Sequence, residues 1–148
     1  PKNIPDDDET TIVHGDYRLD NMILRNNEVI GILDWELSTL GHPVADFSYH
    51  CLSWRTQEAF WDEAKLKELG IPSEKEYMEM YCKYSGKDLS KNWEFYMAFN
   101  MFKIAGILQG ILGRVRDGTA ASKHAEERGN MVFPLSQAAW ETIEDNFL

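Results

Sequence analysis

The segment from Thr10 to Glu36 constrains the fold of this 148-residue chain more than any other part. Three short runs of β-branched and aliphatic residues predict strands, at 10–13, 22–24 and 29–33. An Asn26-Asn27 pair between the second and third runs predicts a tight turn, because asparagine tolerates the left-handed backbone. The sequence therefore predicts an antiparallel hairpin whose outer ends, at Asn21 and Asp34, lie close together.

The polar loop before this hairpin, HGDYRLDN, carries residues spaced as phosphoryl transfer requires. Mg²⁺ binds oxygen ligands and usually takes one or two carboxylates from a protein, beside phosphate and water oxygens. Asn21 offers an amide oxygen and Asp34 a carboxylate, so the pair predicts a Mg²⁺ site for the phosphates of ATP. Asp16 is predicted to accept or orient the proton of an attacking hydroxyl, as the catalytic-loop aspartate of protein kinases does.

Together these motifs resemble the aminoglycoside phosphotransferase and choline kinase-like family, which has the protein-kinase-like fold. The resemblance rests on HGDYRLDN at 14–21, ILDWE at 32–36 and HPVADF at 42–47. The wider sequence, including LDWELSTLGHP and FNMFKIAGILQG, is similar to the kinase-like domain fused to some acyl-CoA dehydrogenases. The similarity covers most of the chain and its motifs are strongest over residues 12–48.

The resemblance implies a role for each matching residue. Asp16 corresponds to the catalytic base, and Asn21 and Asp34 to the metal ligands. Asp46 corresponds to an aspartate on a helix that braces the catalytic loop through hydrogen bonds. His14 corresponds to a residue that orients this loop, so both His14 and Asp46 are expected to support the site structurally.

Two further residues are assigned to the site, each with an alternative. Arg18 lies two residues after Asp16, where protein kinases place a lysine that reaches the transferred phosphoryl group, and a guanidinium binds phosphate bidentately. The alternative for Arg18 is a salt bridge to Asp20 or another surface acid. Glu36 is assigned to cofactor binding, joining the metal shell through water, and its alternative is a structural pair with a basic side chain.

Downstream of the motifs the sequence predicts helices, at 43–54, 57–69, 73–86, 92–115, 120–127 and 135–147. Ser73 and Glu76 form a capping-box pattern, and Gly70 and Gly86 are expected to end helices. The expected fold class is therefore α+β and mostly helical, which fits the large C-terminal lobe of a kinase-like fold with a short catalytic hairpin.

The helix predicted at 92–115 is apolar on nearly every face, so we expect it to be buried among other elements. Charged and polar residues interrupt it, and we therefore expect no membrane span. Gly106 and Gly110 lie one turn apart and are predicted to admit another helix at close range. Cys51 and Cys82 lie in apolar surroundings, which predicts a structural role and suits a reducing compartment; the resemblance adds a mitochondrial or peroxisomal location.

The resemblance also predicts the domain organisation. Residues 10–148 correspond to the C-terminal lobe and residues 1–9 to a linker from a missing N-terminal lobe, since only thirteen residues precede His14. The kinase-like fold holds nucleotide between both lobes, so we expect this chain alone to bind ATP poorly. The implied partners are that lobe, a fused dehydrogenase domain and a small-molecule hydroxyl substrate. A net charge of −10 argues against non-specific binding of nucleic acid.

Three classes of function remain open at this point. The first is an ATP- and Mg²⁺-dependent kinase acting on a small-molecule hydroxyl. The second is a metal-dependent hydrolase that binds a transition metal through His14, Asp16, Asp34 and His42 or His50. The third is a non-catalytic, kinase-derived interaction module.

The acceptor of the first class is open as well. An acidic pocket would suit an aminoglycoside or a choline-like cation, whereas a hydroxyacyl-CoA would need basic residues for its phosphates. Basic candidates follow the motifs along the chain: Lys83, Lys87, Lys91, Lys103, Arg114 and Arg116.

Overall fold

The computed structural model describes residues 3–56 and 63–148. Four short strands come first: β1 (Thr11–Val13), β2 (Met22–Arg25), β3 (Glu28–Ile32) and β4 (Thr39–Gly41). The described part then contains seven helices: α1 (Pro43–Cys51), α2 (Ser53–Thr56), α3 (Glu63–Glu68), α4 (Glu74–Ser85), α5 (Trp93–Arg116), α6 (Ala125–Asn130) and α7 (Val132–Phe147). This architecture confirms the predicted α+β, mostly helical class.

Strands β2 and β3 form the predicted antiparallel hairpin. Asn26 and Asn27 have φ angles of 54° and 64°, so both adopt the left-handed conformation that a two-residue hairpin turn favours. At the other end of the hairpin, the backbone N–H of Leu33 donates to the carbonyl oxygen of Asn21 at 2.8 Å. This bond joins the two outer ends of the hairpin, as the sequence predicted.

A second strand pair joins the HGDYRLDN loop to the helices. Strand β1 pairs antiparallel with β4, with Ile12 opposite Leu40. The sequence analysis predicted β1 and missed β4, because three residues ending in Gly41 are too short to show a strand pattern. The pair positions the site, since β1 ends directly before His14 and β4 ends directly before His42, which precedes α1.

Local capping signals located several helix ends correctly. The side chain of Ser73 accepts the backbone N–H of Glu76 at 3.3 Å, and the carboxylate of Glu76 accepts the backbone N–H of Ser73 at 2.8 Å. Gly70 and Gly86 follow α3 and α4 with φ angles of 69° and 73°. The first six residues of the helix predicted at 57–69 lie outside the described residues.

Three helix boundaries differ from the prediction. The helix predicted at 43–54 divides at Leu52 into α1 and α2. The helix predicted at 120–127 begins only at Ala125, because the hydroxyl of Ser122 accepts the backbone N–H of His124 and holds a turn there. Helix α7 begins three residues earlier than predicted, with Pro134 in its first turn, where a missing N–H is tolerated.

The expectation for Gly106 and Gly110 was wrong. Among the described residues, no atom lies within 4 Å of a Cβ atom added to either glycine. Among the glycines within the described helices, the closely packed one is instead Gly129 in α6, where an added Cβ atom would lie 2.4 Å from Cδ2 of Leu112 in α5. Helix α6 therefore approaches α5 through a glycine that the sequence analysis did not single out.

Helix α5 packs against α1, α6 and α7, but only its first half is buried as expected. All its buried residues lie between Trp93 and Ala105. By length and hydropathy, α5 is the one described helix that meets the criteria for crossing a membrane, with a mean hydropathy of 1.3. Core helices meet these criteria too, and one third of that stretch is buried, so the absence of a membrane span stays a prediction.

The core between α1, α5 and α7 contains Cys51, which is fully buried at the end of α1. Burial raises the pKa of its thiol well above the usual range. Cys82 in α4 is half-buried and packs against the same core. Both thiols are free, and their positions agree with the structural role expected from the sequence.

Candidate active site

The carboxylate of Asp16 is held by a hydrogen bond on each oxygen. The side-chain amide of Asn21 donates to Oδ2 at 3.0 Å, and the hydroxyl of Tyr49 donates to Oδ1 at 3.0 Å. The same Asn21 amide group also donates to the backbone carbonyl of Asp16 at 2.9 Å. Rotation of the carboxylate would break one of these bonds, so its remaining lone pairs point in fixed directions.

His14 closes a ring of hydrogen bonds around this loop. Its Nδ1 accepts the backbone N–H of Asp16 at 3.3 Å, and its Nε2 lies 2.8 Å from the carbonyl oxygen of Leu33. A carbonyl only accepts, so Nε2 carries the proton and donates. Leu33 in turn donates to Asn21, and Asn21 donates to Asp16. The ring thus ties the loop to the residue directly before Asp34.

The same contacts bear on the hydrolase hypothesis. His14 is 4% exposed, and both of its ring nitrogens are engaged by backbone groups. No nitrogen of His14 is therefore left to bind a metal while the loop keeps this arrangement. Across residues 3–56 and 63–148, no group of three or more His, Cys, Asp or Glu side chains could hold a metal ion. The geometry does not favour a transition-metal hydrolase.

Asp46 binds the backbone of the loop, which is the contact that the resemblance implies. Its Oδ2 accepts the N–H of His14 and its Oδ1 accepts the N–H of Gly15, both at 2.8 Å. Gly15 has a φ of 84°, and a Cβ atom there would lie 2.6 Å from the carbonyl oxygen of Leu37. Only glycine allows the loop to pass this close to the turn that follows Asp34.

Two residues whose support of the loop was not predicted complete this attachment. Tyr49 binds Asp16, and Nδ1 of His50 lies 3.0 Å from the carbonyl oxygen of Tyr17, to which it donates. Tyr49 and His50 follow Asp46 by three and four positions, so all three lie on one face of α1. This spacing was visible in the sequence, but nothing there indicated which segment the face contacts.

Helix α1 is itself fixed in place. His42 caps its start, with Nδ1 accepting the backbone N–H of Val44 at 3.3 Å. Asn100 of α5, which is 1% exposed, donates to the carbonyl oxygen of Ala45 and to the hydroxyl of Ser48, both at 2.8 Å. The loop is therefore attached to a helix that is anchored in the core.

Burial sets the charge state of two of these side chains. It raises the pKa of Tyr49 to about 12, with further contributions from the hydrogen bond to Asp16 and its charge. Tyr49 therefore remains a hydrogen-bond donor at neutral pH. Burial lowers the pKa of His50, while the hydrogen bond to Tyr17 acts in the opposite direction. A neutral imidazole with its proton on Nδ1 satisfies this contact.

The proposed metal side of the site offers the exposed carboxylate of Asp34 and the amide oxygen of the partly buried Asn21. Asp34 has φ and ψ angles of 63° and 55°, and its carboxylate accepts no hydrogen bond from any residue that the structure describes. Glu36, two residues on, is exposed in the same turn. The amide group of Asn21 directs its nitrogen toward Asp16, and within the described residues its oxygen has no donor. One carboxylate and one amide oxygen fit a hard cation such as Mg²⁺.

Arg18 forms its alternative contact in this structure. It pairs with Asp20 in an exposed position, where the two side chains are 54% and 75% exposed. Exposed pairs of this kind contribute about 0–1 kcal/mol, so the pair does not prevent Arg18 from binding a phosphoryl group. The contact of Arg18 with a transferred group stays a prediction.

A cavity of about 960 Å³ lies beside the loop and is bounded by α1 and by α5 to α7. Its apolar wall includes Leu52, Ile104, Leu108, Met131, Leu135 and Ala138. Arg18, Arg55 and Arg128 also line it. None of the six basic residues that the sequence suggested for an acyl-CoA lines this cavity.

The three arginines differ in how far their charge is compensated. Arg55 donates to the carboxylates of Glu74 and Glu94, which together outweigh its single positive charge. Arg128 is exposed and has no ion-pair partner within the described part of the chain. Arg128 is therefore the cation in this cavity that is free to bind an anionic group.

Comparison with known proteins identifies the family. The family model described as "Phosphotransferase enzyme family" matches residues 1–81. The chain is 42% identical to mouse acyl-CoA dehydrogenase family member 10 and 37% identical to human acyl-CoA dehydrogenase family member 11, covering 95% and 99% of this chain. It spans only 14% and 20% of the lengths of those relatives.

A solved structure gives the same result for the fold. The crystal structure of a protein from Ralstonia eutropha JMP134, assigned as an aminoglycoside phosphotransferase, superposes with a TM-score of 0.88 at 45% identity. The match covers all of this chain and 47% of that one. The helical body and short hairpin are therefore those of the C-terminal lobe of a kinase-like fold. The chain belongs to the phosphotransferase enzyme family, in a group that includes segments of larger acyl-CoA dehydrogenase family proteins.

Proposed function

We propose that this chain is the large lobe of a small-molecule kinase, which transfers the terminal phosphoryl group of Mg²⁺-bound ATP to a hydroxyl. The observation that carries the proposal is the double anchoring of the Asp16 carboxylate by Asn21 and Tyr49. A carboxylate with fixed lone pairs beside a cavity is suited to orient a hydroxyl for attack. Membership of the phosphotransferase family supports the same reaction.

In the proposed reaction, the acceptor hydroxyl binds to Asp16 from the cavity side. Its oxygen forms the new bond to the terminal phosphorus, the bond to the bridging oxygen breaks, and ADP leaves with that electron pair. Asp16 accepts the proton that the hydroxyl loses. Arg18 leaves its exposed pair with Asp20 to bind the transferred group, where its charge stabilises the charge that develops there.

Asn21 and Asp34 are the proposed ligands of Mg²⁺, with Glu36 near its water shell. When bound, the ion supplies charge neutralisation on the phosphates. The carboxylate of Asp34 is exposed and has no partner among the described residues, which supports this assignment, because a structural aspartate in this strained backbone conformation would be expected to bind neighbouring groups.

The proposed domain organisation follows the sequence analysis. Residues 10–148 form the C-terminal lobe, and residues 1–9 connect it to an N-terminal lobe that completes the ATP site. The solved relative, which is about twice as long, and the acyl-CoA dehydrogenase relatives, which are longer still, support this arrangement. A dehydrogenase domain fused to the kinase is the proposed further partner.

We further propose that the acceptor is a hydroxyacyl-CoA. The cavity beside Asp16 combines an apolar wall with Arg128, whose charge is uncompensated, and this combination suits an acyl chain with an anionic group. Arg128 would repel a cationic acceptor such as choline or an aminoglycoside, and Asp20, the acid that lines the same cavity, is paired with Arg18 in this structure. The similarity to acyl-CoA dehydrogenase family proteins supports the same choice.

The test is to measure ADP formation by the full-length protein with Mg²⁺, ATP and a panel of hydroxyacyl-CoA, choline and aminoglycoside acceptors. We expect turnover with hydroxyacyl-CoA. Arg128→Gln should raise the KM for that acceptor roughly tenfold, since a charge-assisted hydrogen bond contributes about 1.5–3 kcal/mol. Arg116→Gln is the matched control, because Arg116 is exposed outside the cavity.

Other outcomes separate the alternatives. Turnover with choline or an aminoglycoside alone would overturn the acceptor assignment and leave the kinase assignment in place. Mg²⁺-ATP binding without turnover on any acceptor would contradict the proposed reaction. Isothermal titration that detects no Mg²⁺-ATP binding would support the non-catalytic interaction module instead.

A further inference from the structure

We propose that Tyr49 is a positioning residue, which holds the carboxylate of Asp16 in the orientation that the acceptor hydroxyl requires. This inference rests on the proposed kinase function and adds a residue outside the family motif. Asp16, Asn21 and Asp34 belong to that motif, whereas Tyr49 comes from α1, 33 residues after Asp16. Its role follows from the contacts that it makes in this structure.

Asn21 and Tyr49 each hold a different oxygen of the Asp16 carboxylate. Asn21 holds Oδ2 and the loop carbonyl, so it restrains one side of the group. The hydroxyl of Tyr49 is the donor at Oδ1 among the described residues. Without Tyr49, the carboxylate could rotate about its Cβ–Cγ bond, with Oδ1 free to turn toward solvent or the acceptor. Tyr49 therefore fixes the direction of the lone pair that accepts the proton.

Contacts with α5 restrain Tyr49 itself. It is half-buried on a helix that Asn100 anchors to α5. The ammonium group of Lys103, also on α5, lies 5.0 Å from the centre of the phenol ring. A cation at this distance attracts the face of the ring. The donor at Oδ1 is therefore restrained from two sides, as positioning to within a fraction of an ångström requires.

The alternative role for the hydrogen bond from Tyr49 to Asp16 is purely structural, namely to attach the loop to α1. Tyr49 lines the cavity beside the loop, where the acceptor would bind, and its hydroxyl donates to the proposed reacting carboxylate. Asp46 already holds the loop backbone from the same helix. A second bond from α1 to the Asp16 side chain adds little to attaching the loop. It acts on the orientation of the reacting group, which is a catalytic effect.

Steady-state kinetics of Tyr49→Phe in the full-length protein tests the inference, with ADP formation as the readout. The substitution keeps the ring and removes the donor. We expect kcat to fall about tenfold to a hundredfold, since small misplacements of a reacting group have effects of that size. The KM for ATP should stay within about twofold, because Tyr49 does not contact the proposed metal ligands.

Tyr77→Phe is the matched control. Tyr77 is a half-buried tyrosine in α4, and its hydroxyl has no hydrogen-bond partner among the residues described. It should leave kcat within about twofold of wild type. A Tyr49→Phe enzyme that is folded and retains wild-type kcat would overturn the positioning role while leaving the kinase function standing. A fall in thermal stability without a fall in kcat per folded molecule would overturn it equally.

A second measurement tests the contact without any activity. Carbon-13 NMR of ring-labelled tyrosines, assigned with Tyr49→Phe, follows the ionisation of Tyr49 in the wild type and in Asp16→Asn. The charged groups around the phenol are Asp16, Asp46, Arg18 and Lys103. Neutralising Asp16 removes a charge that disfavours the phenolate, so the pKa of Tyr49 should fall from about 12.

That fall should be incomplete, because burial is the largest cause of the raised pKa and remains in the variant. An unchanged pKa of Tyr49 in Asp16→Asn would overturn the inference whether or not the wild type phosphorylates any acceptor. Failure of the kinase assay alone would instead contradict the proposed function, so the two failures are distinguishable.

Discussion

The two sides of the candidate site differ in how completely the chain itself arranges them. On the Asp16 side, α1 and the hairpin supply hydrogen bonds to four consecutive residues, from His14 to Tyr17. On the Asp34 side, the carboxylate is exposed and has no partner among the described residues. In the proposed mechanism, the C-terminal lobe therefore pre-organises the base side, and the metal side depends on groups that bind to it.

This difference has a physical reason. A catalytic base must hold its orientation before the substrate arrives, and internal hydrogen bonds provide this orientation. A metal ligand must give up its solvent or protein contacts when the cation binds, so a strong internal partner would weaken metal affinity. Substitutions on the two sides should therefore differ in whether they affect turnover, metal binding or folding.

The largest expected effect is on the base side. Asp16→Asn in the full-length protein keeps the shape of the side chain and removes its ability to accept a proton. We expect kcat to fall by about 10²–10⁴, with Mg²⁺-ATP affinity within about threefold of wild type. Initial rates and isothermal titration measure the two quantities. Equal losses in both would contradict the division between the two sides.

The next effect should appear on the metal side, where folding and function are expected to separate. Asp34→Gly relieves a left-handed backbone conformation, so the free energy of unfolding should stay within about 1 kcal/mol of wild type. Mg²⁺-dependent ATP binding should be lost. Urea unfolding and titration with ATP, each with and without Mg²⁺, measure both. A large loss of stability would mean that Asp34 is structural.

The third expected effect is a loss of folding stability when Asp46, which holds the loop, is replaced. Asp46→Ala removes the acceptor of two loop N–H groups, at His14 and Gly15. Hydrogen bonds to a charged group contribute about 1.5–3 kcal/mol each, and the two are not additive, so we expect a loss of roughly 2–4 kcal/mol. Urea unfolding of the variant measures it. A change below about 0.5 kcal/mol would show that the loop is held without Asp46.

The smallest effect concerns pH. Burial lowers the pKa of His50 in the folded state, so the unfolded chain binds its proton first as the pH falls. The contribution of neutral His50 to stability is therefore complete above the pKa of an unfolded histidine, near 6.5, and declines below it. Unfolding free energies across this range should fall less steeply in His50→Gln than in wild type. Parallel curves would contradict this assignment.

Much of the site was predictable because its signals are local. The strand pattern, the Asn26-Asn27 turn and the spacing of Asp16, Asn21 and Asp34 all lie within one short segment. Hydrogen bonds between neighbouring parts of the chain then determine the geometry, which explains the agreement over the hairpin. Capping residues are local as well, and they located the ends of α3 and α4.

The missed features depend on contacts between distant parts of the chain. Tyr49 and His50 bind residues 33 positions earlier, and no local pattern indicates that pairing. The error over Gly106 and Gly110 has the same origin, because a glycine pattern shows where a helix can approach but not where one does. The second half of α5 was predicted buried from its composition, yet Ile107 is 50% exposed.

The buried thiol of Cys51 can report how often the end of α1 separates from the core, which a static set of contacts does not show. Cys51 is the last residue of α1, directly after His50, and a thiol-alkylating reagent reaches it only when that end of the helix separates from the core. Its labelling rate therefore measures how often the support of the catalytic loop opens, against the half-buried Cys82 as an internal reference. The two cysteines therefore provide a built-in chemical probe of how often the loop loses its support.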